Sequence, residues 1–311
     1  MNPDQLAAEL RRAGVAEADP STRRRAEYSS DASNYRVVPE VVAFPRHADE
    51  IAAALQVARD TGTPLTARGA GTSCAGNAVG AGIVLDFSRH LNKLIELDPQ
   101  AGTALVQPGL ILSELQRAAA PHGLRFGPDP STQARCTIGG MIGNNACGAH
   151  ALAYGRTADN VEKLSLLLAD GSSLQAGLLA ELIDPVGAEL SALVSANLGV
   201  IRPEFGRFTR QVSGYSMEQL LPENGGRLAR FLAGTEGTLA VITQAEVRLV
   251  PAAPFTALAV LAYPDIATAA DAVPALLPLR PLALEGMDSR LVEVLRARRG
   301  PSAVPVLPDG G

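Results

Sequence analysis

The sequence predicts an α+β protein made of two successive α/β units and the opening of another domain. Three observations carry this. Residues 37–87 run strand, helix, strand, loop, strand. Apolar runs and helical periods resume at residue 104 and close in two strands near 250. Pro251 and Pro254 then break the pattern, and a strand-like run and a helical period follow. The length of 311 residues suits more than one core, and 47% hydrophobic against 19% charged residues is too apolar for a disordered chain.

Residues 3–13 carry an amphipathic helical period, with Pro3 suited to a first turn and Gly14 to a stop. Arg23, Arg24 and Arg25 read as a solvated helix face. Residues 37–43 read as a strand. Residues 47–60 place Ile51, Leu55 and Ala58 on one helical face, closed by Gly62. Strands follow at 64–67 and 82–87. In the second unit, 104–107 reads as a strand and 110–120 as a helix ended by Pro121 and Gly123. From Gly127 to Gly155 small and polar residues dominate without a sustained period, and a run of that length in a compact domain points to function. Residues 164–169 and 172–176 flank Asp170-Gly171 as a hairpin. Helical segments follow at about 186–198 and 225–232, then strands at 238–243 and 246–250. Beyond Pro251 the pattern predicts a strand at 255–263 and a helix at 287–298, before the final Pro308-Asp309-Gly310-Gly311. No internal repeat is present.

Several function classes are disfavoured. The net charge is -5, the arginines are spread out, and aromatic residues make up 4% with no Trp. That leaves neither a basic stripe nor a stacking platform, so nucleic acid is not expected as a partner. Cys74, Cys136 and Cys147 are odd in number and scattered, which gives neither a disulfide framework nor metal-ligand spacing. No apolar leader and no membrane-length apolar stretch stands out, so a cytoplasmic protein is expected.

Three motifs carry candidate chemistry. The first is Arg68-Gly69-Ala70-Gly71-Thr72-Ser73 with Gly76-Asn77 after it. Its glycines permit positive φ and close approach, and successive N–H groups can form a nest for an anion such as a diphosphate. Arg68 either supplies charge or braces the loop. A dinucleotide fingerprint of the nicotinamide type does not fit. The third glycine of that pattern is displaced to Gly76, and Gly76, Gly80 and Gly82 after Gly71 leave no helix to follow. The second motif runs from Pro128-Asp129-Pro130-Ser131-Thr132 through Thr137-Ile138-Gly139-Gly140 and Ile142-Gly143-Asn144-Asn145 to Gly148 and Tyr154. Its small side chains let backbone lie flat on a planar ligand, and the Asn amides can bond a ring edge or sugar. The third is Gly234-Thr235-Glu236-Gly237-Thr238, entering a strand that holds Ile242. Its acid binds ribose hydroxyls or caps a turn.

Together these segments resemble the flavoproteins with a PCMH-type (vanillyl-alcohol-oxidase-like) FAD-binding domain. The match rests on Tyr28 to Ser33, Val38 to Ile51, Arg68 to Ser73, Thr137 to Gly148 and Glu236 to Thr243, and covers roughly residues 25–250. Ala283 to Asp288 resembles the start of the family's substrate, or cap, domain. Within the family, Cys147 to Asn160 looks most like the D-lactate, glycolate and D-2-hydroxyglutarate dehydrogenases, above all the branch fused to an iron–sulfur half.

The resemblance implies a helical extension over 1–36, an FAD-binding domain over 37–250 with subdomains at about 37–100 and 101–250, and a truncated cap over 251–311. Arg68, Gly69, Ala70, Gly71, Thr72 and Ser73, with Gly76 and Asn77 behind them, would bind the FAD diphosphate. Asp129 to Arg135, with Ser131 and Thr132 among them, and Ile142, Gly143, Asn144 and Asn145 would line the flavin and its ribityl chain, and Pro128, Thr137, Gly139, Gly140, Gly148 and Tyr154 would also bind the cofactor. Glu236, Gly237 and Ile242 would hold the far side. No His lies in the first loop, which implies noncovalent FAD, and a covalent link at Cys136 is not expected. Cys74 and Cys147 are expected to be small buried residues. The implied reaction is hydride transfer from a 2-hydroxy acid to the flavin. The base and the carboxylate-binding cation would come from cap elements that the sequence does not match. His47, His90, His122 and His150 are isolated, and only His150 lies within a cofactor motif. A cap-bearing or iron–sulfur partner chain, and through it a peripheral place at the inner membrane, would complete such a protein.

Overall fold

The computed structural model describes residues 1–208, 214–304 and 307. Helix α1 (Pro3–Arg12) is capped by Asn2, whose side chain accepts the Gln5 amide while the Gln5 side chain accepts the Asn2 amide. Its Leu6, Ala7 and Leu10 are buried. Strand β1 (Ala18–Asp19) then joins the edge of the first sheet, so the N-terminal segment is built into the first layer. Helix α2 (Thr22–Glu27) carries the arginine triplet. Only Arg23 is a solvated residue, with its side chain 89% exposed. Arg24 lies over the Phe44 ring and Arg25 Nε donates to the Pro39 carbonyl.

Strand β2 (Val41–Ala43), helix α3 (Ala48–Thr61), strand β3 (Leu65–Arg68) and strand β4 (Ile83–Asp86) complete the first unit. The sheet order is β1-β2-β4-β3, parallel except for β1. Strand β2 is shorter than the predicted 37–43 because Val37 donates back to the Ser29 carbonyl and Pro39 has no N–H to pair. Gly62 stops α3 in the left-handed region at φ 63°.

The second unit contains β5 (Leu94–Asp98), β6 (Thr103–Val106), α4 (Leu112–Ala119), β7 (Leu124–Phe126), α5 (Ile138–Asn144), α6 (Ala151–Tyr154), β8 (Val161–Leu168), β9 (Ser173–Ala176), α7 (Pro185–Ala196), α8 (Leu198–Glu204), α9 (Leu228–Leu232) and β10 (Ala240–Pro251). Its sheet is antiparallel in the order β5-β6-β10-β8-β9, with β7 on the last residues of β10. The hairpin at Asp170-Gly171 forms as predicted. The two strands predicted at 238–243 and 246–250 are one strand. Register shifts after Ile242 and Glu246 carry β10 onward as bulges rather than breaks. The run 127–155 is not structureless, because α5 and α6 lie inside it.

Alternation along β8 and β10 serves two cores. Leu166 faces the core of the second unit, whereas Leu167 and Val241 face that of the first, against Ile51, Leu55 and Ala58 of α3. After β10 come α10 (Ile266–Leu276) and α11 (Ser289–Arg299). Residues 255–263 form no strand, contrary to the sequence pattern. No neighbouring strand among the described residues offers the hydrogen bonds that a strand needs, and Phe255 and Leu258 are 92% and 90% exposed. The terminal Pro308 to Gly311 lies outside the described residues. Among the described residues no helix is long and apolar enough to cross a membrane.

Candidate functional site

Strand β3 delivers the first loop at its C-terminal end. Arg68 turns away from solvent, lies 4.9 Å from the Tyr28 ring centroid, and donates to the carbonyls of Tyr28, Ser30 and Ala78. These bonds decide its role as a brace rather than a free charge. Gly71 adopts φ 67°. Among the described residues nothing accepts a hydrogen bond from the backbone N–H groups of Gly69 to Ser73. The loop therefore presents a series of available donors, as an anion nest requires.

Helix α5 meets this loop at its own first turn. Thr137 caps the helix by accepting the Gly140 amide at 3.2 Å, and it is 1% exposed. Gly69 packs on that cap so closely that a Cβ there would lie 2.1 Å from Thr137 Oγ1. Gly139 is held as tightly against Pro108. At the other end Asn145 turns left-handed at φ 51° and accepts the Ala158 amide with its side chain. The third segment docks there. Gly234 donates to the Ile142 carbonyl and Glu236, at φ 55°, to the Gly143 carbonyl, while Asn144 Nδ2 donates to Glu236 Oε1 at 2.8 Å.

The three segments enclose one cavity of about 310 Å³, in the size range of cofactor sites. Of the sequence-predicted residues it is lined by Arg68, Gly69, Ala70, Gly71, Thr72, Ser73, Asn77, Thr132, Thr137, Gly139, Gly140, Gly143, Asn144, Glu236, Gly237 and Ile242. Gly143 and Gly237 show what the glycines accomplish. A Cβ built on either meets nothing within 4 Å, so side chains at these cavity-lining positions would project into open space. A cradle of this kind, with free donors at one end and bare backbone along its wall, fits FAD.

Eight predicted residues do not line the cavity. Gly76, at φ 83°, packs on the Tyr35 ring. Ile142 is fully buried in the core of the second unit, because it lies on the face of α5 opposite the cavity. Asn145 is spent on the cap described above. Asp129 pairs with His150 and accepts its amide, and Gly148 packs on the Asp129 carbonyl. Tyr154 stacks near His150 and against Gly127. Pro128 and Ser131 flank the lining residue Pro130 without lining the cavity themselves. Conversely, Phe87, Pro108, Leu166 and Leu232 line it without any motif marking them, while Met141 and Ala240 sat inside the segments 137–148 and 236–243. The first four are ordinary apolar residues, Leu166 on β8, Leu232 on α9, and Phe87 and Pro108 in loops. Thr235 and Ala146, also lining, sat inside quoted motifs.

None of the four histidines lines the cavity. His90 pairs with Glu17, and His47 lies near Asp49 and Glu50. Cys136 and Cys147 do line it, and Cys136 is 4% exposed, with its thiol pushed up by burial. A raised thiol is a poor nucleophile. Cys74 is exposed rather than buried, since it sits where the first loop bends outward.

Residues 39–177 match the sequence family described as an FAD binding domain. The chain is similar to D-2-hydroxyglutarate dehydrogenase of Escherichia coli K12, 31% identical over 88% of this chain and 28% of that protein. It is also similar to the glycolate oxidase subunit GlcD of Bacillus subtilis 168, 33% identical over 91% of this chain and 53% of that subunit. D-lactate dehydrogenase of Archaeoglobus fulgidus is 32% identical over 82% of this chain and 48% of that protein. The chain thus spans from about a quarter to about half the length of these relatives. Among solved structures, an alkyldihydroxyacetonephosphate synthase shares the fold with TM-score 0.63 at 17% identity, covering 90% of this chain and 47% of that one. The matched segment, the shared fold and these relatives together place a PCMH-type FAD-binding domain over residues 39–177 of the chain.

Proposed function

We propose that this chain is the FAD-holding part of a dehydrogenase acting on the CH–OH group of a small 2-hydroxy acid. The observation that carries it is the convergence of the loop after β3, helix α5 and the Thr235–Gly237 turn on one cavity. The relatives named for D-2-hydroxyglutarate, glycolate and D-lactate support the substrate class.

The donors of Gly69 to Ser73 would hold the FAD diphosphate without a covalent bond. The bare backbone of Gly143 would lie on the flavin side, and Glu236, steadied by Asn144, would face the far sugar. When bound, FAD supplies the hydride acceptor, so the hydroxy acid leaves as the 2-oxo acid. This chain's apolar wall of Phe87, Met141 and Leu166 would exclude water from the flavin. The hydroxyl proton needs a base and the carboxylate a cation, and we assign both to a substrate domain that opens after residue 251 and is completed elsewhere. On this division residues 37–250 form the cofactor domain. The exposed Phe255, Leu258 and Leu279 favour such a completion, from a cap-bearing or iron–sulfur partner chain, which would also set any association with the inner membrane.

The test is the visible spectrum of the purified chain, before and after acid precipitation. A flavin band that leaves with the supernatant, and that bleaches anaerobically with a D-2-hydroxy acid once a cap-bearing partner is added, is the expected result. Bleaching by NADPH instead would move the assignment to a flavin reductase. A colourless chain that cannot be reconstituted with FAD would end the proposal.

A further inference from the structure

Arginines far apart in sequence meet outside the FAD cavity. Strand pairing sets Arg125 opposite Val250, and Arg248 lies on the same face two residues earlier. Arg248 Nη2 donates to Asn160 Oδ1 at 3.0 Å and reaches the Asp159 carbonyl at 3.4 Å. Arg230 Nη2 reaches that same carbonyl at 3.3 Å, and its Nη1 lies 3.7 Å from Asp159 Oδ1. Arg156 Nε approaches Asp159 Oδ2 at 3.3 Å. Arg227 adds its charge to the field at Arg230, and the carboxylates opposing it are Asp159 and Glu162.

The balance of this cluster is positive; Arg125, Arg156 and Arg230 are partly buried, while Arg227 and Arg248 are exposed. Burial, then the neighbouring Arg227, holds Arg230 below its ordinary value. Arg230 Nε is also buried without an acceptor. Buried donors almost always find a partner, and guanidinium forks match oxyanions in both charge and geometry. None of these arginines lines the FAD cavity.

We propose that Arg230 and Arg248 form a binding site for a doubly charged oxyanion of the phosphate or dicarboxylate type, separate from the cofactor. The anion supplies the acceptors that Asp159, shared among three guanidinium groups, does not. It would link α9 to β10, on either side of the Thr235–Gly237 turn.

The test is calorimetric titration of the FAD-loaded protein with inorganic phosphate and, separately, malonate, at ionic strength fixed with chloride. Saturable binding of at least one is expected, and the preferred anion names the class. Arg248→Gln, at an exposed position that spares the fold, and Arg230→Gln should each weaken binding at least tenfold. Arg12→Gln, on α1, should leave it unchanged. No saturable binding of either anion, or equal binding in the Arg248 and Arg230 variants, overturns the proposal. Phosphate that survives both substitutions belongs to the nest of the first loop. The same titrations on FAD-free protein separate this site from the cofactor assignment, because dependence on Arg248 does not require FAD.

Discussion

Gly143 is the residue at which fold and cofactor make opposite demands. It lies inside α5, where glycine costs a helix roughly 1 kcal/mol relative to alanine. Nothing in the protein requires the missing Cβ, because that position is open. Gly143→Ala should therefore raise the thermal stability of the FAD-free chain by up to about 1 kcal/mol. The same change should weaken FAD affinity at least tenfold, measured by quenching of flavin fluorescence. Weakened affinity without the gain in stability would mean that the cavity wall had collapsed instead. Tyr28 makes a second demand, on pH. Burial first, then its 2.5 Å bond to Asp86, raises its phenol above the ordinary value of 10.0. The folded state thus keeps a proton that the unfolded chain loses. The stability this contributes is complete below pH 10 and declines as pH rises beyond it. Urea unfolding at pH 9 and pH 11 should show a smaller loss in Tyr28→Phe than in the parent chain. An equal loss would place the alkaline sensitivity elsewhere. At this scale Gly69, Gly71, Gly139, Gly140, Gly143 and Gly237 line the cavity as their motifs suggest, because a bare backbone is itself the signal, whereas Gly76 and Gly148 pack on the scaffold. Asp129, Asn145 and Tyr154 lie off the cavity and hold the scaffold, because a polar residue in a motif can serve the scaffold as readily as the ligand. The clustering of Arg230 with Arg248 left no signal at all, since it exists only through strand register.

Between elements, the decisive joint is α5 on the loop after β3. Gly69 and Thr137 are in direct contact across it, and that contact joins the two units. Gly69→Ala forces a Cβ onto Thr137 Oγ1 and should cost about 1–3 kcal/mol by overpacking. Thr137→Ala removes the cap and should cost about 1 kcal/mol. The double variant should be more stable than the sum of the two losses predicts, because removing Oγ1 clears the space that the new methyl needs. Denaturant melts of the four proteins test this, and simple additivity would show that the two residues do not share the joint. Helix α5 itself was hidden in the sequence. Its residues Ile138–Asn144 hold three glycines, low in helix propensity, and tertiary packing of Ile138, Met141 and Ile142 supplies what propensity lacks. Strand β10 was cut in two for a related reason. Its bulges interrupt the period-2 pattern over which a strand is recognised, while β6, β7 and β8 hold it together. By contrast α1, α3 and the Gly171 hairpin were legible, since their caps and turns are local chemistry.

Over the whole molecule, two cores meet along β8 and β10, and the cavity spans the same division. Ala67 to Ser73 and Phe87 come from the first unit, while α5, Leu166 and the Thr235–Gly237 turn come from the second. A ligand filling that cavity touches both units and belongs to neither, so its binding energy should count against the unfolding of each. For a chain of 311 residues, each tenfold rise in free FAD above its Kd adds about 1.4 kcal/mol. That should raise the melting midpoint by roughly 2 °C. FAD-free protein should melt more broadly, as the two cores are then coupled through Leu167 and Val241 on α3 and the Gly69–Thr137 joint, without the ligand. Saturating FAD should sharpen the melt into one transition, and Gly143→Val should lose both effects by filling the cavity. Scanning calorimetry at three FAD concentrations decides the matter. If only one of two transitions moves with FAD, a single unit holds the cofactor and the joint at Gly69 and Thr137 is merely packing. If both move together, the cofactor is the third element of the interface between the cores.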